Sequence, residues 1–195
     1  MPEAAVEDRV GGDRLKVLVA RAARLPPLRT AVVHPVDALS LGGAMAARAA
    51  RLIDPVLVGP VARIRAAAAN AGLDIGGCDL VDTAHSHAAA ERAVALARAG
   101  QAAALMKGAL HTDELMHAVL DPQCGLRTAR RVSHVFVCDT PRSPRLLLIT
   151  DAAVNIYPTL ADKRDIVQNA IDMAHALGIA DPKVCLLYTS DAADE

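Results

Sequence analysis

Short apolar runs rich in β-branched residues alternate with longer alanine-rich stretches from about Arg29 onward. The short runs predict strands, and the longer stretches, in which apolar residues recur every three or four positions, predict helices. The predicted strands are 30–34, 56–58, 79–81 and 103–106. The predicted helices are 38–51, 61–71, 86–99 and 112–120. Strands separated by helices of this length predict a doubly wound, mainly parallel α/β sheet, with right-handed crossovers that place helices on both faces.

The pattern changes after Asp121-Pro122. Two strand-like runs, 133–137 and 145–150, flank the loop 139–144, which contains two prolines. Such a loop suits either a hairpin or a crossing between domains. We therefore expect the boundary between two domains to lie in this loop.

A long helix is predicted over 160–178. Thr159 and Asp162 have the spacing of a capping box at its start, and Gly178 is a natural stop at its end. A further strand is predicted over 182–187. The predicted buried face of the helix comprises Leu160, Val167, Ala170, Ile171, Ala174 and Leu177.

These elements divide the chain into four predicted segments. They are an N-terminal segment with a lead helix (1–28), a first α/β domain (29–140), the start of a second α/β domain (141–184) and a tail (185–195). The tail resembles the translation of a sequencing adapter in one reading frame, so we expect coding sequence to stop near Val184 and the second domain to be incomplete. A natural short polar tail is the alternative.

The overall composition narrows the classes of function. Hydrophobic residues make up 53% of the chain and the mean hydropathy is +0.27, values typical of a packed core. The chain has no Trp, one Phe and two Tyr, and its net charge is −1, which argues against nucleic acid and anionic membranes as partners. An acidic N-terminus and the lack of a long apolar run predict a cytoplasmic protein. The four cysteines lack the spacing of a metal site, so we predict no metal.

Ligands of open α/β sheets bind beyond the carboxyl ends of the strands, where helix N-termini present free N–H groups. The segment from Lys107 to Thr112 follows a predicted strand in this way. Gly108 allows a close approach of the backbone to a ligand, Lys107 supplies a charge, and Thr112 can cap the helix or bind an anion. The alternative is an ordinary turn with a solvated lysine. Asp113 and Glu114 in the first helical turn would oppose a dianion.

Two other segments have similar positions. Asp151 and Asn155 follow a strongly apolar run and could line a cleft, or they could form an Asx-turn within the loop. His34 and Asp37 follow the first strand, where a turn and the entry to a helix explain them equally well. From the residues alone, the sequence indicates an α/β domain that binds an anion or a nucleotide.

Three ordered runs carry a resemblance to a known family. They are LMKGALHTDELMHAV (105–119), RRVSHVFVCD (130–139) and LLITDAAVNIYPTLADKRDIVQNAIDMAHALGI (147–179). They resemble the phosphate acetyl/butyryltransferase family, and most of all the transferase part of its bifunctional enoyl-CoA hydratase/phosphate acetyltransferase members. The runs 34–47 and 55–64 agree with it, so that the resemblance covers about 15–184.

The resemblance implies two α/β domains with the active site in the cleft between them, similar to isocitrate and isopropylmalate dehydrogenases. The implied reaction converts acyl-CoA and phosphate into acyl phosphate and CoA, with coenzyme A as a substrate and no cofactor. Full-length members are usually homo-oligomers. They carry the catalytic carboxylate and much of the coenzyme A site in a C-terminal portion that this chain lacks, so we expect the chain alone to be inactive.

The resemblance also implies roles for individual residues. Gly108, His111 and Thr112 match the family motif Gly-x-x-His-Ser/Thr, which with Lys107 belongs to the phosphate or acyl-phosphate side of the cleft. The segment 151–155 matches the motif that opens the second domain. An NAD(P)-dependent dehydrogenase of related fold and a non-catalytic fragment are the alternatives, although no acidic cluster has the spacing of a dehydrogenase metal site.

Overall fold

The computed structural model describes residues 13–141 and 143–186. Its strands are β1 (Leu28–Val33), β2 (Ile53–Gly59), β3 (Asp79–Asp82), β4 (Ala104–Lys107), β5 (Phe136–Cys138) and β6 (Leu147–Ile149). Its helices are α1 (Asp13–Ala22), α2 (Ala38–Ala49), α3 (Val61–Ala71), α4 (Ser86–Arg98), α5 (Thr112–Leu120) and α6 (Leu160–Ala176). The described residues form two compact units: the sheet unit, 19–128, and the hairpin unit, which contains 13–18 and the described residues from 129 onward.

The sheet unit contains four parallel strands in the order β3-β2-β1-β4. The chain first builds outward from β1 through β2 to β3, and then returns to place β4 on the other side of β1. This order confirms the α/β class and the parallel sheet that the sequence predicted. It also creates a topological switch point between β1 and β4, where the direction of strand addition reverses.

Helices cover both faces of this sheet. On one face, Leu41 of α2 and Ile64 of α3 pack with Val32 and Leu57 of the central strands. On the other face, residues of α4 and α5 pack with alternate positions of the same strands, including Val33. Val32, Val33 and Leu57 are fully buried, and each such side chain contributes about 1.5–3 kcal/mol through burial.

Local signals set the ends of the helices. Asp37 caps α2, because its Oδ1 accepts a hydrogen bond of 2.7 Å from Ser40 N. Gly72 ends α3 in the left-handed region with φ of 64°, a conformation that glycine adopts without steric cost. The stop at Gly72 explains why α3 ends where the sequence predicted. Helix α2 ends two residues before the predicted Arg51.

In the hairpin unit, β5 and β6 pair antiparallel. Both strands belong to this one unit, so the loop between them is a hairpin loop, one of the two predicted alternatives. The division between the units lies between Thr128 and Ala129, upstream of the predicted domain boundary in that loop. The domain limits of the complete protein stay a prediction.

The capping box at the start of α6 is confirmed, whereas the predicted buried face is wrong in part. Thr159 Oγ1 accepts a hydrogen bond of 3.2 Å from Asp162 N, and Thr159 N donates one of 3.0 Å to Asp162 Oδ2. Leu160 is 85% exposed, and the buried residues of the helix are Ile166 and Ala174.

The predicted strand 182–187 is absent from the described residues 182–186, and its last residue lies outside them. Most of the predicted tail, 187–195, and residues 1–12 of the N-terminal segment also lie outside the described residues. The lead helix is α1, whose Arg14 donates from its backbone N to Asp139 Oδ2 at 2.8 Å and from Nη1 to Asp139 Oδ1 at 2.5 Å. Among the described helices, none has the length and apolarity that a bilayer-spanning helix needs.

Candidate functional site

The four parallel strands of the sheet unit end at the same side of the sheet, which we call the carboxyl edge. It is formed by the segments that follow the strands, residues 34–37, 60, 83–85 and 108–111, and by the first turns of α2 to α5. The switch point between β1 and β4 brings the start of α5 beside the end of β1. Open α/β sheets bind ligands at this position.

Gly108 is buried where β4 leaves the sheet. Its N–H donates to Val33 O at 2.9 Å, and a Cβ added to it would lie 2.4 Å from the same oxygen. Glycine is therefore required here because β4 approaches the backbone of β1. From the sequence, Gly108 was expected to allow the approach of a ligand, and its contacts with β1 supply a different reason for the glycine.

Lys107 and Thr112 are exposed at the carboxyl edge. The Lys107 Nζ donates to Gly108 O at 3.4 Å. Thr112 is the first residue of α5, and the N-cap is His111. Of the two roles that the sequence suggested for Thr112, capping is thus wrong, and binding of an anion by its hydroxyl stays a prediction.

Glu114 holds the first turns of α4 and α5 together. Its Oε2 accepts from His111 N at 2.9 Å, and its Oε1 accepts from Ser86 Oγ at 2.9 Å and lies 3.1 Å from His87 Nδ1. The hydrogen bonds from His111 and Ser86 hold the pKa of Glu114 below its ordinary value. The carboxylate is therefore ionised at neutral pH, and its hydrogen bonds also connect the starts of α4 and α5.

The charges near Lys107 are mixed. The pKa of Asp37 is lowered chiefly by hydrogen bonds from the backbone and side chain of Ser40, and the positive charge of Lys107 contributes. Lys107 thus lies close enough to Asp37 for their charges to interact. Asp113 and Glu114 at the start of α5 offset the positive charges of Lys107 and of Arg63, in the first turn of α3. An anion at the edge would therefore depend on these two side chains and on backbone N–H groups.

His34 occupies the centre of the carboxyl edge, and sequence analysis did not distinguish it from a simple turn residue. It is 5% exposed, and its backbone is left-handed with φ of 56°. Its N donates to Val58 O at 2.7 Å, and its O accepts from Val36 N at 2.9 Å and from Ala109 N at 3.0 Å. Non-glycine residues in this conformation are uncommon, and they persist where the surroundings impose the geometry.

The His34 ring is held neutral. Burial lowers its pKa, the positive charge of Arg63 lowers it further, and the opposing effect of Glu114 is smaller. Its Nδ1 is enclosed and has no hydrogen-bond partner among the residues that the structure describes. Within the same residues, the Oγ1 of Thr83, after β3, is also enclosed without a partner. No periodicity or motif in the sequence indicates such atoms, because their enclosure depends on how the strand ends meet.

Asp151 and Asn155 lie in the hairpin unit, and most of their polar atoms are used within it. Asp151 Oδ1 accepts from Ala153 N and Val154 N, each at 3.1 Å, and Oδ2 accepts from Asn155 N at 3.1 Å. Asn155 donates from Nδ2 to Val132 O at 2.9 Å. Partial burial raises the pKa of Asp151, but these hydrogen bonds outweigh it, so its pKa lies below the ordinary value.

These contacts agree with the Asx-turn alternative for Asp151 and Asn155. Their role in lining a cleft stays a prediction. In the described ranges, 13–141 and 143–186, the His, Cys, Asp and Glu side chains form no group of three that could hold a metal ion.

A surface depression of about 710 Å³ lies between α4 and α5. Its lining includes Val94, Arg98, His117 and Cys124, and none of the site residues predicted from the sequence. It therefore adds nothing to the case for a ligand at the carboxyl edge.

Comparisons with known proteins extend this description. A family model described as "Phosphate acetyl/butaryl transferase" matches residues 88–194, a little over half of the chain. A phosphate acetyltransferase from Rhizobium meliloti is 55% identical over 170 residues, which cover 87% of this chain and 54% of the relative. A phosphate butyryltransferase from Clostridium acetobutylicum is 41% identical over 133 residues, covering 68% of this chain and 44% of the relative.

A solved structure gives a similar result. The crystal structure of a branched-chain phosphotransacylase from Enterococcus faecalis matches with a TM-score of 0.61 and 28% identity, over 80% of this chain and 54% of that chain. The chain spans about half the length of the curated relatives it matches.

Proposed function

Because the chain belongs to the phosphate acetyl/butyryltransferase family, we propose that the complete protein moves an acetyl- or butyryl-type acyl group between coenzyme A and phosphate. The substrates are acyl-CoA and inorganic phosphate, and the products are acyl phosphate and free coenzyme A. Coenzyme A is a substrate, and the reaction that we propose uses no other cofactor. The names of the matched relatives, phosphate acetyltransferase and phosphate butyryltransferase, support this assignment.

One observation carries the proposal. The segment from Lys107 to Thr112, which lies within the family match, begins at the switch point between β1 and β4. Fold and motif therefore favour the same position for a ligand, although they are independent arguments. The exposed Lys107 side chain and the first turn of α5 are the groups available to an anion there.

We assign the phosphate or acyl-phosphate side of the site to Lys107, Gly108, His111 and Thr112. Lys107 supplies the positive charge and the hydroxyl of Thr112 donates to a phosphate oxygen. Gly108 lets β4 end against β1, and His111 fixes the start of α5, so these two residues position the others.

The chemistry is a direct displacement at the thioester. A phosphate oxygen attacks the carbonyl carbon, the new C–O bond forms, and the C–S bond then breaks as the negative charge on the carbonyl oxygen collapses. The thiolate leaves and takes up a proton to give free coenzyme A. Polar groups aimed at the developing oxyanion lower the barrier. In the reverse direction, a carboxylate accepts the proton of the thiol.

We propose further that this carboxylate and much of the coenzyme A site belong to a part of the complete protein outside this chain. The coverage of about half of each relative supports this. The complete protein then has two α/β domains of the isocitrate/isopropylmalate dehydrogenase type, an active site in the cleft between them, and a homo-oligomeric state. Asp151 and Asn155 would open the second domain. The 195-residue chain alone would show little or no transfer.

The test is phosphate-dependent release of thiol from acetyl-CoA and butyryl-CoA by a protein extended to the length of the curated relatives. We expect release that requires phosphate, and that falls about 10-fold or more when Thr112→Val removes a hydrogen bond made in the transition state. Cys124→Ser, a change in the depression between α4 and α5, is the matched control and should leave the rate unchanged. Thiol release that does not depend on phosphate would contradict the proposal.

A further inference from the structure

His87 and Glu114 form a carboxylate–histidine pair at the carboxyl edge. The Nδ1 of His87, in the first turn of α4, lies 3.1 Å from Oε1 of Glu114, in the first turn of α5. The other oxygen of the same carboxylate, Oε2, accepts from His111 N at 2.9 Å. The pair therefore lies beside the segment 107–112, which we assign to phosphate, although His87 is not part of that segment.

The contacts of Glu114 determine which ring nitrogen of His87 carries the hydrogen. His111 N donates to Oε2, Ser86 Oγ donates to Oε1 at 2.9 Å, and these two hydrogen bonds lower the pKa of the carboxyl group. An ionised carboxylate accepts hydrogen bonds and donates none. The Nδ1 of His87 is therefore the N–H that faces the carboxylate, and in the neutral ring Nε2 keeps a lone pair.

The imidazole is accessible, whereas the carboxylate is largely enclosed. The side chain of His87 is 63% exposed, and that of Glu114 is 14% exposed. Three donors hold the carboxylate in place, and the ring extends from it into solvent. An accessible imidazole whose Nδ1–H is held by an enclosed carboxylate is the arrangement that orients a histidine as a general base.

The other histidine rings near this pair are held differently. His85 Nδ1 accepts from Ala88 N at 3.3 Å and caps α4, and its ring centroid lies 6.1 Å from that of His87. The Nδ1 of His34 is enclosed. Among the histidines of the carboxyl edge that the structure describes, His87 is the one whose ring nitrogen contacts a carboxylate.

We propose that His87 is the general base for the phosphate hydroxyl in the proposed acyl transfer, and that Glu114 is the positioning residue that orients it. The inference rests on the proposed function. Hydrogen phosphate keeps one P–OH group when another of its oxygens attacks the thioester, and this group becomes more acidic as the attacking oxygen is acylated. Nε2 of His87 accepts its proton while the C–O bond forms, and the carboxylate stabilises the resulting imidazolium.

The step is balanced in electrons and protons. An electron pair of the phosphate oxygen forms the C–O bond, and the electron pair of the C–S bond leaves with the thiolate. One proton moves from phosphate to His87 and the thiolate takes up one, so that the net transfer is from phosphate to sulfur. The imidazolium releases its proton to solvent before the next turnover. His87 acts on phosphate, and the carboxylate that we propose for the thiol acts on coenzyme A.

The first test measures the tautomer of His87 in the 195-residue chain. Long-range proton–nitrogen NMR at about pH 8, where an ordinary imidazole is neutral, distinguishes protonated from unprotonated ring nitrogens. His87→Ala assigns the signals. We expect a protonated Nδ1 and an unprotonated Nε2. An unprotonated Nδ1 would overturn the proposal.

Glu114→Gln tests the positioning role separately. Its amide oxygen can still accept from His111 N, so the start of α5 is kept. Its NH2 group would face Nδ1 of His87 and donate to it, which leaves the hydrogen of the neutral ring on Nε2. The tautomer should therefore reverse. The same tautomer in Glu114→Gln and in the unmodified chain would show that Glu114 does not orient the ring.

The second test uses the complete protein in the assay of phosphate-dependent thiol release. His87→Ala removes the base and should lower kcat about 100-fold or more, with little change in the KM for acyl-CoA. Added imidazole should restore part of this loss, because the exposed position leaves room for a free base. Glu114→Gln should lower kcat about 10-fold or more, since the reversed tautomer has no lone pair at Nε2. The control His117→Ala, at an exposed histidine further along α5, should keep its kcat and not respond to imidazole.

The outcomes separate the two proposals. Thiol release by the unmodified protein that does not depend on phosphate would refute the proposed function, and with it the role of His87. Phosphate-dependent release that His87→Ala lowers no more than the control, or that imidazole does not restore, would refute the role of His87 alone. If His87→Ala does not fold, the tautomer and the kcat of Glu114→Gln decide.

Discussion

At the scale of single residues, the backbone geometry of the carboxyl edge restricts which residue types fit at several positions. Gly108 and Gly59 both lie where a strand ends close to the neighbouring backbone. A Cβ added to Gly108 would lie 2.4 Å from Val33 O, and one added to Gly59 would lie 3.3 Å from His34 Cα. His34 is held by the same strand ends in a conformation that its side chain disfavours. Close packing of the main chain is thus sufficient to account for these residues without a ligand.

Gly108→Ala should destabilise the protein. The new Cβ would lie 2.4 Å from Val33 O, which is backbone and cannot move without disturbing β1. We expect the free energy of unfolding to fall by about 1–3 kcal/mol, as for overpacking in other cores. Urea denaturation measures the change.

Gly42→Ala is the matched control for this substitution. Gly42 lies inside α2, and apart from the neighbouring residues and backbone of that helix, no described atom lies within 4 Å of an added Cβ. Alanine should therefore raise the free energy of unfolding by up to about 1 kcal/mol. Equal effects of the two substitutions would show that the approach of β4 to β1 does not require glycine.

The neutral state of His34 makes stability depend on pH. Its pKa in the folded protein lies below the ordinary value of 6.5, so the unfolded chain binds the proton more readily. The contribution of His34 to stability is thus complete above that ordinary value and is lost as the pH falls toward the folded pKa. Urea denaturation at about pH 7.5 and pH 5.5 should show a larger loss in the unmodified chain than in His34→Gln. An equal loss in both would mean that His34 titrates normally.

At the scale of elements, local signals were sufficient for the sequence to predict most of the sheet unit. Pro60 and Gly72 bracket α3, and Asp121-Pro122 follows α5, so both helices have their predicted bounds. The strands β1 and β2 are longer than predicted, because β-pairing extends into residues that have no distinctive pattern of their own. The parallel order followed from the alternation of elements.

In the hairpin unit, local signals were not sufficient to predict which residues are buried or which runs form strands. In α6, apolar residues occur on more than one face, since Ile166 and Val167 are adjacent, and only tertiary packing decides which of them is buried. For the strand predicted over 182–187, the apolar run gave a local preference, but the described part of it pairs with no other strand. The enclosed atoms of His34 and Thr83 could not be predicted from the sequence either, because their enclosure also depends on tertiary packing.

Thr159→Ala should weaken α6. The hydroxyl accepts from Asp162 N and also donates to Asp162 Oδ2 at 2.8 Å, so the substitution removes both halves of the cap that involve this side chain. We expect a loss of about 1 kcal/mol, the usual effect of removing an N-cap. Hydrogen exchange of the first turns of α6 measures it. Leu160→Ala, at an exposed position one residue on, serves as control, and a similar loss there would mean that the cap is not the cause.

At the scale of the whole molecule, the two units differ in how completely they bury apolar residues. The sheet unit encloses residues from both faces of its sheet. In the described part of the hairpin unit the buried apolar residues are Ile166 and Ala174, whereas Phe136, Ile156 and Tyr157 are exposed. The relatives are about twice as long as the stretch that matches them.

This difference predicts unequal local stability within one chain. Segments with few buried apolar contacts open more readily, so the amides of β5 and β6 should exchange with solvent much faster than those of β1 and β2. Hydrogen exchange followed by mass spectrometry resolves the two units in one experiment. Equal protection of the two sheets would contradict the expectation that burial controls their stability.

We propose that the switch point of the sheet, between β1 and the start of α5, binds phosphate. The most direct measurement is a titration of the 195-residue chain with inorganic phosphate, followed through the backbone amide resonances of residues 107–114. We expect saturable shifts in this segment that weaken several-fold in Lys107→Gln and strengthen in Asp113→Asn, since these substitutions remove charges of opposite sign. Shifts confined to other segments, or a response unchanged by Lys107→Gln, would contradict it.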